Sequence, residues 1–167
     1  MAELTTQERL QPSLLDRLAD DEPAKADESR EKRVISATRL RDCVARDISW
    51  LLNCVNLGLD DELADYPDVA RSVLNFGIPD LTGTALAGVD ASVLQRQLRE
   101  AILAFEPRLT ASSLRVTVQT DTKRMDRQSL VFNIESEMWA QPIPLNLYLK
   151  TEVDLETGKF NVSESFG

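Results

Sequence analysis

The spacing of apolar residues changes from three-and-four to two across Pro107, and that switch confines the chain to few folds. Before it, ATRLRDCVARDISWLLNCV (37–55) repeats Leu40, Val44, Ile48, Leu51 and Val55, with Cys43, Leu52 and Cys54 widening the stripe. Asn53, Asn56 and Gly58 supply end signals for this helix. Residues 90–105 place Val93, Leu94, Leu98, Ala101, Ile102 and Phe105 on a second helical face. Between the two, Pro67 suits the first position of a short helix that carries Val69, Val73 and Leu74 and ends near Gly77. GIPDLTG (77–83) has the residues of a loop.

After Pro107, Leu114, Val116 and Val118 alternate with Arg115, Thr117 and Gln119. Leu130, Phe132 and Ile134 alternate in the same way, beyond a charged turn at 121–128. The best strand puts Leu145, Leu147, Leu149, Thr151, Val153 and Leu155 on one face, and Asn146, Tyr148, Lys150, Glu152 and Asp154 on the other. Glu156-Thr157-Gly158 turns the chain into a short last strand with Phe160 and Val162. Helices first and an antiparallel meander after give an α+β domain, with helices on the apolar face of one sheet. The other sheet face is polar, and at least one edge is open to pairing with another chain.

Ahead of this body (34–167), PSLLDRLA (12–19) predicts a short amphipathic helix capped by Ser13, with Leu14, Leu15 and Leu18 on one face. Two turns are not stable alone, so the leucines must dock, either back on the body or, as we expect, on a partner. Residues 20–33, DDEPAKADESREKR, form a charged linker. The chain therefore divides into a docking helix with an acidic linker (1–33) and the body.

A net charge of −9, with no cluster of basic residues, argues against nucleic acid as a partner. The sequence has no histidine, which removes Ser-His-Asp and Cys-His catalysis and the commonest zinc ligand. Cys43 and Cys54 in one helix stand roughly 16 Å apart, beyond disulfide reach, so both are expected as reduced, half-buried thiols. No metal site or cofactor is expected. The polar start MAELTTQERL is no signal peptide and no window could span a membrane, so the expected location is cytoplasmic.

AFEPRLT (104–110) raises a question of its own. Pro107 ends the helix, but Glu106 then sits at the carbonyl end, where a negative charge costs roughly 0.3–1 kcal/mol. A glycosidase would need a second carboxylate about 5–9 Å away, and Asp121, Asp126 and Glu135 are equal candidates. The adjacent Arg108 favours a charge where a general acid must hold a proton, and aromatics make up only 5% of the chain. An enzyme is not expected.

The ordered motifs PSLLDRL, RDISWLLN, YPDVARSVLNFGIPDLTG, FEPRL and LYLKTEVDLETGKFNV resemble the sheath-initiator family of contractile injection machines. That family includes the contractile-phage baseplate-wedge protein and the TssE subunits of type VI secretion baseplates, and the chain looks most like the latter. The resemblance runs from Pro12 to Val162. It implies a structural protein at the baseplate, near the inner membrane. It also implies binding to the core bundle of the wedge subunits and sheet edges that sheath strands extend. The family's glutamate-proline-arginine triplet, matched by Glu106, Pro107 and Arg108, would face the wedge. Asn161, in the last strand, marks the edge expected to pair with sheath subunits. A regulatory anti-adaptor-like binding protein of the same fold is the alternative.

Overall fold

A computed structural model of the chain describes residues 13–18, 36–57, 63, 65–82, 90–119, 129–139 and 144–165. The elements are α1 (Leu14–Leu18), α2 (Ala37–Leu52), α3 (Pro67–Ala70), a 3-10 turn (Val73–Asn75), α4 (Ala91–Phe105), β1 (Arg115–Gln119), β2 (Ser129–Met138), β3 (Leu145–Asp154) and β4 (Lys159–Glu164). All four strands are antiparallel, in the order β1-β2-β3-β4. The fold is the expected α+β arrangement. The linker 20–33 and the charged turn 121–128 lie outside the described residues.

The two long helices form because their ends are capped and one face of each is apolar. Ser36 Oγ accepts the Arg39 N–H at 3.1 Å, and Asp90 Oδ1 accepts those of Ser92 and Val93. Leu40, Val44, Ile48 and Leu51 of α2 and Leu94, Leu98 and Ile102 of α4 share one core with Phe132, Ile134, Leu147, Leu149 and Val153 of the sheet. Burying each such side chain contributes about 1.5–3 kcal/mol. Alternate residues of β2 and β3 enter this core, so the opposite sheet face is polar.

Three boundaries differ from the sequence reading. α2 stops at Leu52 because Asn53 Nδ2 donates to Ser49 O at 2.8 Å and closes the last turn. Cys54 and Val55 therefore leave the stripe and are exposed, whereas Cys43 is buried, so the two free thiols are unlike. Instead of continuing the helix, Val55 forms a parallel bridge with Ile78. The Ile78 N–H donates to Cys54 O at 3.0 Å, and the Asn56 N–H donates to Ile78 O at 2.9 Å.

The short helix after Pro67 ends at Ala70, since Ser72 Oγ accepts the Leu74 N–H and starts a separate 3-10 turn. Val73 (81% exposed) and Leu74 face solvent rather than the core. β2 runs on to Met138, past its expected end. Ser136 holds a buried position there by hydrogen bonding Ser113 Oγ at 3.2 Å. That extension fixes the segment after Pro107. The Trp139 N–H donates to Arg108 O at 2.7 Å, and the Thr110 N–H donates to Glu137 O at 2.8 Å.

Candidate functional site

Charges of alternating sign connect α1, α2 and the turn after α4. In α1, Ser13 Oγ donates to Asp16 Oδ2 at 2.6 Å and accepts the Asp16 N–H at 3.3 Å. Arg46 Nη1 donates to Asp16 Oδ1 at 2.7 Å, and Arg46 Nη2 donates to Asp47 Oδ1 at 2.8 Å. Arg108 Nη2 donates to Asp47 Oδ2 at 2.5 Å. Arg108 also grips Glu106: its Nε donates to Oε1 at 2.6 Å and its Nη2 to Oε2 at 2.5 Å, while its own N–H reaches Oε1 at 3.1 Å. The Arg46 guanidinium lies 4.9 Å from the Trp50 ring centroid.

This geometry answers the question raised by Glu106. It is the C-cap residue of α4, and only 4% of it is exposed. Its carboxylate turns away from the helix axis into the fork of Arg108, which carries the link on to α2. The arginine compensates the charge that the helix end disfavours. Burial opposes the charge on Arg108, but the Glu106 and Asp47 carboxylates outweigh it and raise its pKa. One nitrogen is left over, because Arg108 Nη1 is buried and has no hydrogen-bond partner among the described residues.

The clamp borders an apolar groove of about 580 Å³ between α1, α2 and α4. Leu14, Leu15, Trp50, Phe76, Phe105 and Pro107 line it, and Asp47, Glu106 and Arg108 give it a polar side. Phe76 and Phe105 meet edge-to-face with centroids 5.3 Å apart. The structure thus brings five residues of interest to one place: Leu14, Leu15, Glu106, Pro107 and Arg108. Leu14 is 70% and Leu18 74% exposed, so α1 is held by Asp16 while its leucine face stays free. Sequence reasoning missed Asp47 and Trp50. The signal for Trp50 was an aromatic just outside the α2 stripe; Asp47 had none, because its partner is 61 residues away.

Asp16 makes the attachment of α1 dependent on pH. Burial raises its pKa, but hydrogen bonds from Arg46 and Ser13 and the Arg46 charge outweigh burial and hold the carboxyl at about 2, below the usual 3.8. A depressed folded-state pKa gives stability that is present above 3.8 and lost as pH falls toward 2. Titrating the Asp16 carboxyl by NMR should give a midpoint well below 3.8. An unshifted midpoint would mean that α1 is not held through this pair.

Asn161 lies on β4 and does not line the groove. The Phe160 N–H donates to Asn53 Oδ1 and Phe160 O accepts from Asn53 Nδ2, each at 3.0 Å, so the main chain of Phe160 faces away from β3. The Ser165 N–H donates inward, to Tyr148 O at 2.9 Å. Antiparallel alternation then points Asn161 and Ser163 toward β3, and Val162 and Glu164 outward. The expectation that Asn161 presents the edge donor is corrected on this geometry. Its N–H serves the internal ladder, and a proline there would break β3–β4 pairing.

Among the described residues, no three His, Cys, Asp or Glu side chains come together to hold a metal ion, and no helix is long and apolar enough to cross a membrane. A crystal structure from Geobacter sulfurreducens, of a protein described as a tail lysozyme, is similar over 70% of this chain and 92% of its own. Identity is 18% and the TM-score 0.44, a likeness that carries no argument about activity. No curated protein matches the chain. The family model for baseplate wedge protein gp25, by contrast, matches residues 38–143, from the start of α2 to the approach to β3. By that match over more than half its length, the chain belongs to the baseplate wedge protein gp25 family, structural components of the baseplates of contractile injection machines.

Proposed function

We propose that this chain is the TssE-type subunit of a type VI secretion baseplate, on the cytoplasmic side near the inner membrane. It binds the core bundle of the wedge through the groove beside Glu106, Pro107 and Arg108, and it templates sheath polymerisation by strand pairing at β4. The PSLLDRL start and the acidic linker support the secretion branch over the phage branch. One observation carries the wedge assignment: an exposed apolar groove with Asp47, Glu106 and Arg108 along its polar side. A helix from the bundle would fill the groove with its apolar face and set polar groups against the charged side. Pro107 holds the triplet in one backbone shape, which lowers the ordering cost of binding.

The free leucines of α1 extend the same surface. Replacing Leu14, Leu15 and Leu18 by serine should weaken wedge binding at least tenfold while thermal unfolding stays within a few degrees of the parent. Deleting residues 1–33 should do the same. A large loss of thermal stability in the serine variant would place the leucines in the core and end their assignment as docking residues.

A further inference from the structure

The outer edge of β4 is not uniformly open. At Phe160 the Asn53 amide satisfies both main-chain groups, donor to acceptor and acceptor to donor, as a neighbouring strand would. Two residues further on, the outward groups of Val162 and Glu164 meet no donor or acceptor among the described residues. An occupied position and two open ones thus follow one another along six residues of edge.

We infer that Asn53 is a register stop for strand addition at β4. This rests on the proposed role of β4 as the edge that sheath strands extend. A strand approaching this edge can pair with Val162 and Glu164, but to slide on to Phe160 it must displace both Asn53 bonds. Slippage by two residues would keep every side chain on its proper face, so alternation alone cannot prevent it. The amide plug can. Asn53 therefore sets where pairing stops.

Amide hydrogen exchange, with and without purified sheath subunits of the same system, tests the stop. In the free protein Phe160 should be protected while Val162 and Glu164 exchange rapidly. Asn53→Ala should speed exchange at Phe160 at least tenfold over any change at Asn161, whose N–H serves β3. Equal rates at Phe160 in parent and variant overturn the register stop. Asn53 also closes α2, so Asn53→Asp provides a variant of the same size: it keeps the acceptor for the Phe160 N–H and loses the donor. With sheath subunits, Asn53→Asp should let protection spread past Val162 and shift the register, and an unchanged footprint overturns the stop. In the parent, sheath subunits should protect Val162 and Glu164. Protection at β1 instead overturns the reading of β4 as the edge, a failure distinct from that of the plug.

Discussion

Arg108→Ala should lower the unfolding temperature more than Glu106→Ala does, and the double variant should recover part of the loss. Removing Arg108 leaves Glu106, 4% exposed, with the Arg108-position N–H as its one remaining donor in the clamp. Breaking a buried pair from one side costs about 3–5 kcal/mol, because the surviving charge stays out of water. In a chain of this length that is roughly 6–20 °C in Tm. Glu106→Ala is milder, because Arg108 is more exposed and keeps Asp47. The double variant removes the stranded carboxylate, so its loss should be smaller than the sum of the two. Additive losses would mean that the two side chains do not form a unit. The size of this effect also makes Arg108→Ala a poor probe of the wedge interface, since binding and folding would change together.

Gly77→Ala should be nearly as damaging, for a reason in the backbone. Gly77 has φ 129°, and a Cβ built there would lie 2.4 Å from Cys54 O. That oxygen accepts the Ile78 N–H, so the clash falls on the bridge joining the end of α2 to the loop. Strain and displaced packing together should cost about 2–5 kcal/mol, or roughly 5–20 °C in Tm. Gly158 (φ 67°), in the β3–β4 turn, is a useful contrast. A Cβ there would meet the side-chain oxygen of Thr82, which can rotate away, so Gly158→Ala should cost less. Equal unfolding temperatures for Gly77→Ala and the parent would refute the close approach.

The parts of the fold set by local rules were legible in the sequence. The change of period at Pro107 located α4, the strands and the faces they bury, since apolar spacing directly encodes which side meets the core. Boundaries decided by a single side-chain hydrogen bond were not legible. Asn53 and Ser72 each end or start an element through one backbone contact, and apolar spacing carries no trace of it. Glu106 was conspicuous as an acid at a helix end, and the structure resolves that conflict by pairing it with Arg108. Its partner in the next step, Asp47, was hidden because charges on a helix surface look alike until the tertiary contact singles one out. The edge at Asn161 was readable as an edge but not in its phase, which only the β3–β4 pairing and the contact of Asn53 with Phe160, 107 residues apart, reveal.

If the groove beside Glu106, Pro107 and Arg108 receives the wedge as proposed, Trp50 should carry much of the binding. It lines the groove, is 49% exposed and takes no part in the ion-pair chain except by lying under Arg46. Truncating it should cost folding about 1 kcal/mol or less, the value of an exposed cation–π contact. A tryptophan at the centre of an interface typically contributes 2 kcal/mol or more, at least about thirtyfold in affinity. The measurement is the affinity of Trp50→Ala for the reconstituted wedge, with thermal unfolding of the free variant as control. Affinity reduced thirtyfold at near-parental Tm is the result expected; parental affinity for the wedge would rule the groove out as its binding site.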